Sequence, residues 1–199
     1  IPHGHQEICQ RQNKRVIIPD RPGFGLTPEV SGQPQKWNSM LTEFIDALGI
    51  ESYDLLGTVL GSVIALNYAV EADSRLKRVR LSSPIFVNNR KDSEYLLGIF
   101  SPVSRLIRAS ERFSIVIYEL WLKSVTMNLS VHYRSMLENG LGSAERRLFL
   151  SNKTVDLMIE GFQQGSSKGL GGISKEMVHC LSPRNVDLSK ISAPVELWW

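Results

Sequence analysis

A chain of 199 residues that is 42% hydrophobic and 22% charged is suited to one domain, or one domain with a lid, and is too apolar to be disordered. Its net charge of +3 is too small to argue for nucleic acid, and its fifteen Gly and nine Pro exclude a collagen-like repeat. No apolar run approaches the ~20 residues of a membrane span, so no membrane role is expected.

Residues 5–13 can make a short polar helix. Val16-Ile17-Ile18 is a β-branched run ending at Pro19 and predicts a short buried strand. Asp20-Arg21-Pro22-Gly23-Phe24-Gly25 then reads as a tight turn, because proline fixes φ and glycine permits φ > 0. Trp37, Met40, Leu41, Phe44, Ile45 and Leu48 fall on one face of an α-helix, which Gly49 stops. Tyr53 to Leu56 is a strand entering Gly57, and residues 61–72 are apolar nearly all round, which predicts a central buried helix. Val79 to Leu81 is a further strand, stopped by Ser83-Pro84. Residues 86–180 carry helical patterns broken at Pro102, Gly140, Gly142 and the glycines of 165–172, including the strongly apolar stretch 113–122. Pro194 to Trp198 returns to strand character. Strands and helices in alternation imply an α/β class with a parallel sheet and right-handed crossovers. The expected division is an α/β core at 1–85, a helical lid or cap insertion at 86–180, and a return to the core at 181–199.

The segment Tyr53-Asp54-Leu55-Leu56-Gly57-Thr58-Val59-Leu60-Gly61-Ser62 is a strand, a five-residue turn and a helix, with glycines four apart around the apex. That is the layout of the G-x-S-x-G nucleophile elbow, in which a tight turn lifts its middle side chain over the sheet edge at a helix N-terminus. Both glycines are expected to be needed because a Cβ at either position would strike neighbouring backbone. With this turn in place the chain resembles the α/β-hydrolase-fold family, in the branch carrying a D-R-P-G-F-G turn. RVIIPDRPGFG at 15–25 is similar to that family's fourth strand and the turn after it, and LTEFIDALGIESYDLLGTVLGSVIALNYA at 41–69 to its helix–strand–elbow–helix unit. RLKRVRLSSP at 75–84 resembles the sixth strand and DLSKISAPVELWW at 187–199 the approach to the seventh.

The resemblance implies a hydrolase acting on ester- or amide-like small substrates, with Ser, or sometimes Asp or Cys, at the elbow apex. Here the apex is Val59, whose isopropyl group has no lone pair with which to attack a carbonyl. Of the oxyanion donors the family uses, the Leu60 backbone N–H is the one the turn retains. The family's acid and His, and its first three strands, fall outside the match, so the chain is expected to be a fragment without a competent triad. Thr58 should point sideways and Ser62 should cap backbone N–H groups; without a partner base either hydroxyl is a poor substitute nucleophile. The expected function is therefore that of a catalytically silent hydrolase-family protein. The alternatives are a ligand- or protein-binding module, or a truncated product without function.

Other constellations favour structural readings. His3, His5 and Cys9 lack a fourth ligand and read as a polar helix start rather than a metal site. His3-Gly4 lies sixteen residues before Pro19, too near to be an oxyanion motif after a third strand. His132 and His179 read as surface or packed side chains, and Asp20 beside Arg21 reads as a turn residue. Gly169, Gly171 and Gly172 do not complete a dinucleotide fingerprint, since position 174 is Ser and no strand precedes them. Cys9 and Cys180 share no metal or redox spacing and fit a reducing, cytoplasmic compartment. No cofactor or metal is expected. The expected partner is a small apolar or acyl-type molecule under the lid, near aromatics such as Trp121. Strands 53–57, 78–82 and 194–198 should lie side by side in parallel, with strand 15–19 facing a gap.

Overall fold

The computed structural model describes residues 5–31, 36–85, 110–140, 142, 143, 146, 149–182 and 186–198. The expectations resting on Pro2, His3, Gly4, Pro102 and the remainder of 86–109 lie outside the described residues.

Its organising element is a three-stranded parallel sheet formed by β1 (Tyr53–Thr58), β2 (Leu76–Ser82) and β3 (Val195–Trp198), in that order. The register pairs Leu55 with Val79 and Gly57 with Leu81, then Val79 with Val195 and Ser82 with Trp198. Parallel strands require crossovers, and the one from β1 to β2 is the helix α3 (Gly61–Ala69). α3 has apolar residues around most of its circumference and buries Ile64, Ala65, Leu66, Tyr68 and Ala69. Ala65, Leu66 and Ala69 lie on Val79 and Leu81, both fully buried, and this is the centre of the core.

Helix α2 (Trp37–Ala47) packs Leu41 and Ile45 against Tyr68 of α3. It ends as the glycine signal predicts: Gly49 has φ +61, and the Ile50 N–H reaches back to the Ile45 carbonyl at 3.2 Å. The opposite face of the sheet has no helix on it among the described residues. It carries Arg80 in ion pairs with Asp54 at 2.6 Å and Glu196 at 2.9 Å, one residue from each strand, with Leu56 and Trp198 exposed beside them.

Residues 14–20 correct the expectation of a buried strand at 16–18. They form no secondary structure, and Val16 and Ile18 are exposed. A β-branched run favours extended backbone, but a strand exists only as part of a ladder that takes its N–H and C=O groups. Among the described residues no strand lies beside it. The short helix α1 (His5–Arg11) precedes it.

The described part of 110–182 is helical. Helix α4 (Glu111–Thr126) starts at Ser110, whose Oγ accepts from the Phe113 N–H at 3.1 Å. It is followed by α5 (Leu129–Gly140), α6 (Asn152–Gly165) and α7 (Gly171–Leu181). Tyr118 and Leu122 of α4 bury against Val178 of α7 and Leu170, forming a second core separate from that of the sheet. No described helix is long and apolar enough to cross a membrane.

Candidate functional site

The site is built where the strands end. Thr58, Ser82 and Trp198 are register partners, so the three C-terminal ends are level. Beyond them the chains remain knitted: the Val59 N–H donates to the Ser82 carbonyl at 3.1 Å and the Ser83 N–H to the Trp198 carbonyl at 2.9 Å. A crevice at the carboxyl edge of a parallel sheet is where open α/β folds place their ligands.

The 57–61 turn rises from that edge. Gly57 is buried, and a Cβ there would lie 2.8 Å from the Ala65 Cβ, the Gly61 carbonyl oxygen and the Ser62 Cα. That glycine is what lets α3 lie so close to β1. Gly61 is different: a Cβ at that position meets nothing within 4 Å, so the expectation that both glycines are sterically required holds for Gly57 and not for Gly61.

At the summit Val59 has φ +50, in the left-handed region, with 45% of its surface exposed. A β-branched residue in this conformation is a backbone outlier, costing about 1–3 kcal/mol. Leu60 returns to right-handed helical geometry at φ −62, and its N–H donates to no acceptor among the described residues. The Leu60 side chain packs against the cluster centred on Leu181 of α7, as do Ile85 and Met177.

The two neighbouring hydroxyls have different surroundings. Thr58 is exposed. Ser62 is fully buried; its Oγ donates to the Val59 carbonyl and accepts from the Ile85 N–H at 3.1 Å. It therefore ties the summit to the segment after β2: the backbone N–H that it caps is that of Ile85 and not one of α3. Among the described residues neither hydroxyl is hydrogen-bonded to a histidine or a carboxylate. His132 and His179 lie on α5 and α7, and His179 is buried.

The other turn, at 20–25, faces α7. Arg21 forks onto Glu176 with two bonds of 2.6 Å and lies over the Phe24 ring, 4.8 Å from its centre. Burial opposes the arginine's charge, but the hydrogen bonds and negative charge of Glu176 outweigh it, so its pKa is raised. The Asp20 carboxylate accepts from the Leu26 N–H at 3.3 Å, which is a turn-forming role. The Gly25 N–H donates to the Gly165 carbonyl at 2.9 Å, and the Ser167 hydroxyl to the Gly25 carbonyl at 2.8 Å. A Cβ on Gly172 would lie 2.6 Å from the Gly23 Cα and carbonyl oxygen.

No local pattern in the sequence announces these contacts. In the sequence the glycines of 165–172 read as a helix break, and Gly169, Gly171 and Gly172 as an incomplete dinucleotide fingerprint; in the structure Gly172 is where α7 meets the 20–25 turn backbone to backbone. The one available signal was Glu176, a lone acid on a helix whose neighbours Ser174, Val178 and Leu181 are all buried. Among the described residues no three His, Cys, Asp or Glu side chains gather as metal ligands. Cys9 is half-buried and Cys180 buried, both as thiols.

The matches to known proteins agree on one family. A family model described as alpha/beta hydrolase fold matches residues 4–104. The 2-hydroxy-6-oxo-2,4-heptadienoate hydrolase of Pseudomonas putida is 31% identical over 80 residues, 39% of this chain and 29% of the relative. The 2-hydroxy-6-oxo-6-phenylhexa-2,4-dienoate hydrolase of Burkholderia cepacia is 38% identical over 73 residues, 35% of this chain and 26% of the relative. Both matches thus span less than a third of the relative. Among solved structures, a mutant of a meta-cleavage product hydrolase (CumD) superposes with a TM-score of 0.56 at 17% identity, covering 94% of this chain and 61% of that one. The parallel sheet, the glycine-hinged turn at its carboxyl edge and these matches lead to one assignment: the chain belongs to the alpha/beta hydrolase fold family.

Proposed function

We propose that this chain is a catalytically silent member of its family, which binds a small acyl-type molecule above the 57–61 turn without cleaving it. The observation that carries this reading is Val59 at the summit. The backbone there holds the strained, positive-φ form of a nucleophile elbow, while the side chain it lifts is a hydrocarbon. A covalent mechanism needs a lone pair at that point and a base to activate it.

The neighbours do not supply one. The Ser62 hydroxyl is buried and engaged with backbone groups, and among the described residues Thr58 has no base bonded to it. What the turn retains is the capacity to hold a carbonyl oxygen: the Leu60 N–H, without an acceptor among the described residues, stands at the head of α3, where the helix dipole favours negative charge. The two curated relatives described above are named as hydrolases of 2-hydroxy-6-oxo-dienoates, so a compound of that class is the first ligand to try. The described helices α4–α7 would act as the lid over it.

Two measurements test the reading. A serine-directed fluorophosphonate should leave no adduct by mass spectrometry, whereas stoichiometric labelling at Thr58 or Ser62 would overturn it. A 2-hydroxy-6-oxo-dienoate should bind, read as quenching of tryptophan fluorescence, with its absorbance constant over hours. Consumption above a no-enzyme blank favours the second reading, hydrolysis by descent, to which the relatives' names point. Val59→Ser should also give no turnover above the blank, because an apex hydroxyl without a bonded base is not activated.

A further inference from the structure

The two turns described above are joined by one element. Helix α7 begins at the 20–25 turn and ends at the 57–61 turn. Near its start Gly172 rests on the Gly23 backbone, and one turn later Glu176 holds Arg21 in a two-bond fork. At its far end Leu181, fully buried, packs against Leu60 and Ile85, with Met177 beside it. From Gly172 to Leu181 a helix rises about 14 Å, so α7 is long enough to carry a displacement from one turn to the other. Lys175 adds a more exposed tether, 2.7 Å from Glu29 in the loop after the first turn.

The geometry points to α7 as a strap that couples the two turns, with the Arg21–Glu176 fork as its latch. The turn at 57–61 is fixed below by its bond to Ser82 and by Ser62, but the Leu60 side chain that follows the summit leans on α7. Helix α7 also packs on α4 through Val178, next to the Leu181 contact, with Met177 shared between the two. Those apolar contacts resist separation, yet they fix the helix along its axis only weakly. A planar guanidinium bonded through two nitrogens to both oxygens of one carboxylate fixes position and angle together. The latch, with the Gly172–Gly23 contact, thus sets where along its axis α7 sits, and through Leu181 where Leu60 sits. The coupling concerns position alone and holds whether or not the 57–61 turn binds a ligand.

Amide NMR of the full chain tests this directly, because it reads each turn separately. Glu176→Gln keeps the shape of the side chain and removes its charge. The expected result is displaced resonances at both turns, Gly23 and Gly25 at one and Leu60 and Gly61 at the other. Amide exchange at Val59 and Ser62 should become about tenfold faster. Leu55 and Val79 in the sheet should be unchanged. Arg21→Lys, which keeps the charge and loses the fork, should move the same resonances by less. The exchanged pair Arg21→Glu with Glu176→Arg should bring Leu60 back towards its original position. Displacement confined to Arg21 and α7, with Leu60 and Gly61 unmoved, would overturn the strap. So would an equal change throughout the sheet, which would mean general loosening. If Glu176→Gln does not fold, Arg21→Lys provides the same readout with the same two failing results.

Discussion

The two turns of this molecule resolve the same backbone problem with opposite residues. The 20–25 turn places Gly23 at φ +81 and Gly25 at φ +53, where glycine is free of penalty, and the Asp20 carboxylate occupies the space a Cβ on Gly25 would need. The 57–61 turn places Val59 at φ +50, where a branched side chain is strained. At the first turn, sequence and conformation agree, so the conformation needs no outside support. At the second they disagree, and surrounding bonds must hold the backbone: Val59 to Ser82 below, Ser62 to the Val59 carbonyl behind. A turn that keeps a costly shape while bearing a residue unsuited to it has a shape set by its scaffold, not by its own side chain. The proposal of silent chemistry rests on that contrast.

The largest expected effects come from filling the two closest backbone approaches. Gly172→Ala would push α7 off the Gly23 backbone, and Gly57→Ala would push α3 off β1; in each case the obstructing atoms include main chain that cannot rotate away. Each substitution should lower stability by about 3 kcal/mol, at the upper end of overpacking costs. Urea unfolding gives the measurement, with the m-value showing whether the transition stays two-state. A loss at Gly57 with none at Gly172 would mean that α7 tolerates displacement, and would weaken the link drawn between the turns.

Gly25→Ala comes next. Its cost combines a left-handed φ for alanine with the need to move the Asp20 carboxylate away from the Leu26 N–H. The Asp20 side chain can rotate, so the expected loss is smaller, about 2 kcal/mol.

The comparison also shows what a sequence can express. Helix α2 was legible because its apolar positions recur with helical period and a glycine closes it, all within thirteen residues of chain from Trp37 to Gly49. The 57–61 turn was legible as a pattern of spaced glycines following a strand, and Val59 was identifiable at its apex. What the pattern could not give was which glycine is sterically required. That depends on where α3 comes to lie against β1, which the one-dimensional spacing does not contain. Val16-Ile17-Ile18 misled for a related reason. Its β-branched side chains are a local property, whereas strand formation is a property of neighbours, and Val79 with the same propensity is fully buried because β1 and β3 flank it. The Arg21–Glu176 fork was illegible because its partners are 155 residues apart and neither carries a local signature of the other.

Val59→Asn reverses the disagreement at the summit. Asparagine tolerates the left-handed region better than any β-branched residue, and the position is exposed enough to hydrate its amide. Stability should rise by about 1 kcal/mol, seen as a Tm higher by about 2–4 °C in a domain of this size. No rise would mean that the surrounding bonds already absorb the strain, so that the two turns differ in residue type but not in energy.

Gly61→Ala should have the smallest effect and the opposite sign to Gly57→Ala, although both glycines belong to the same spaced pair. Gly61 opens α3, its φ lies outside the left-handed region, and a Cβ there meets nothing within 4 Å. Alanine loses less conformational freedom than glycine on entering a helix, which is worth about 0.5 kcal/mol at a first helical position, where part of the turn is frayed. A small gain in the urea midpoint would show that the second glycine is not needed by the packing of this chain. A loss of stability would mean that the helix start approaches another segment more closely than the described residues indicate, and the steric distinction between Gly57 and Gly61 would fall.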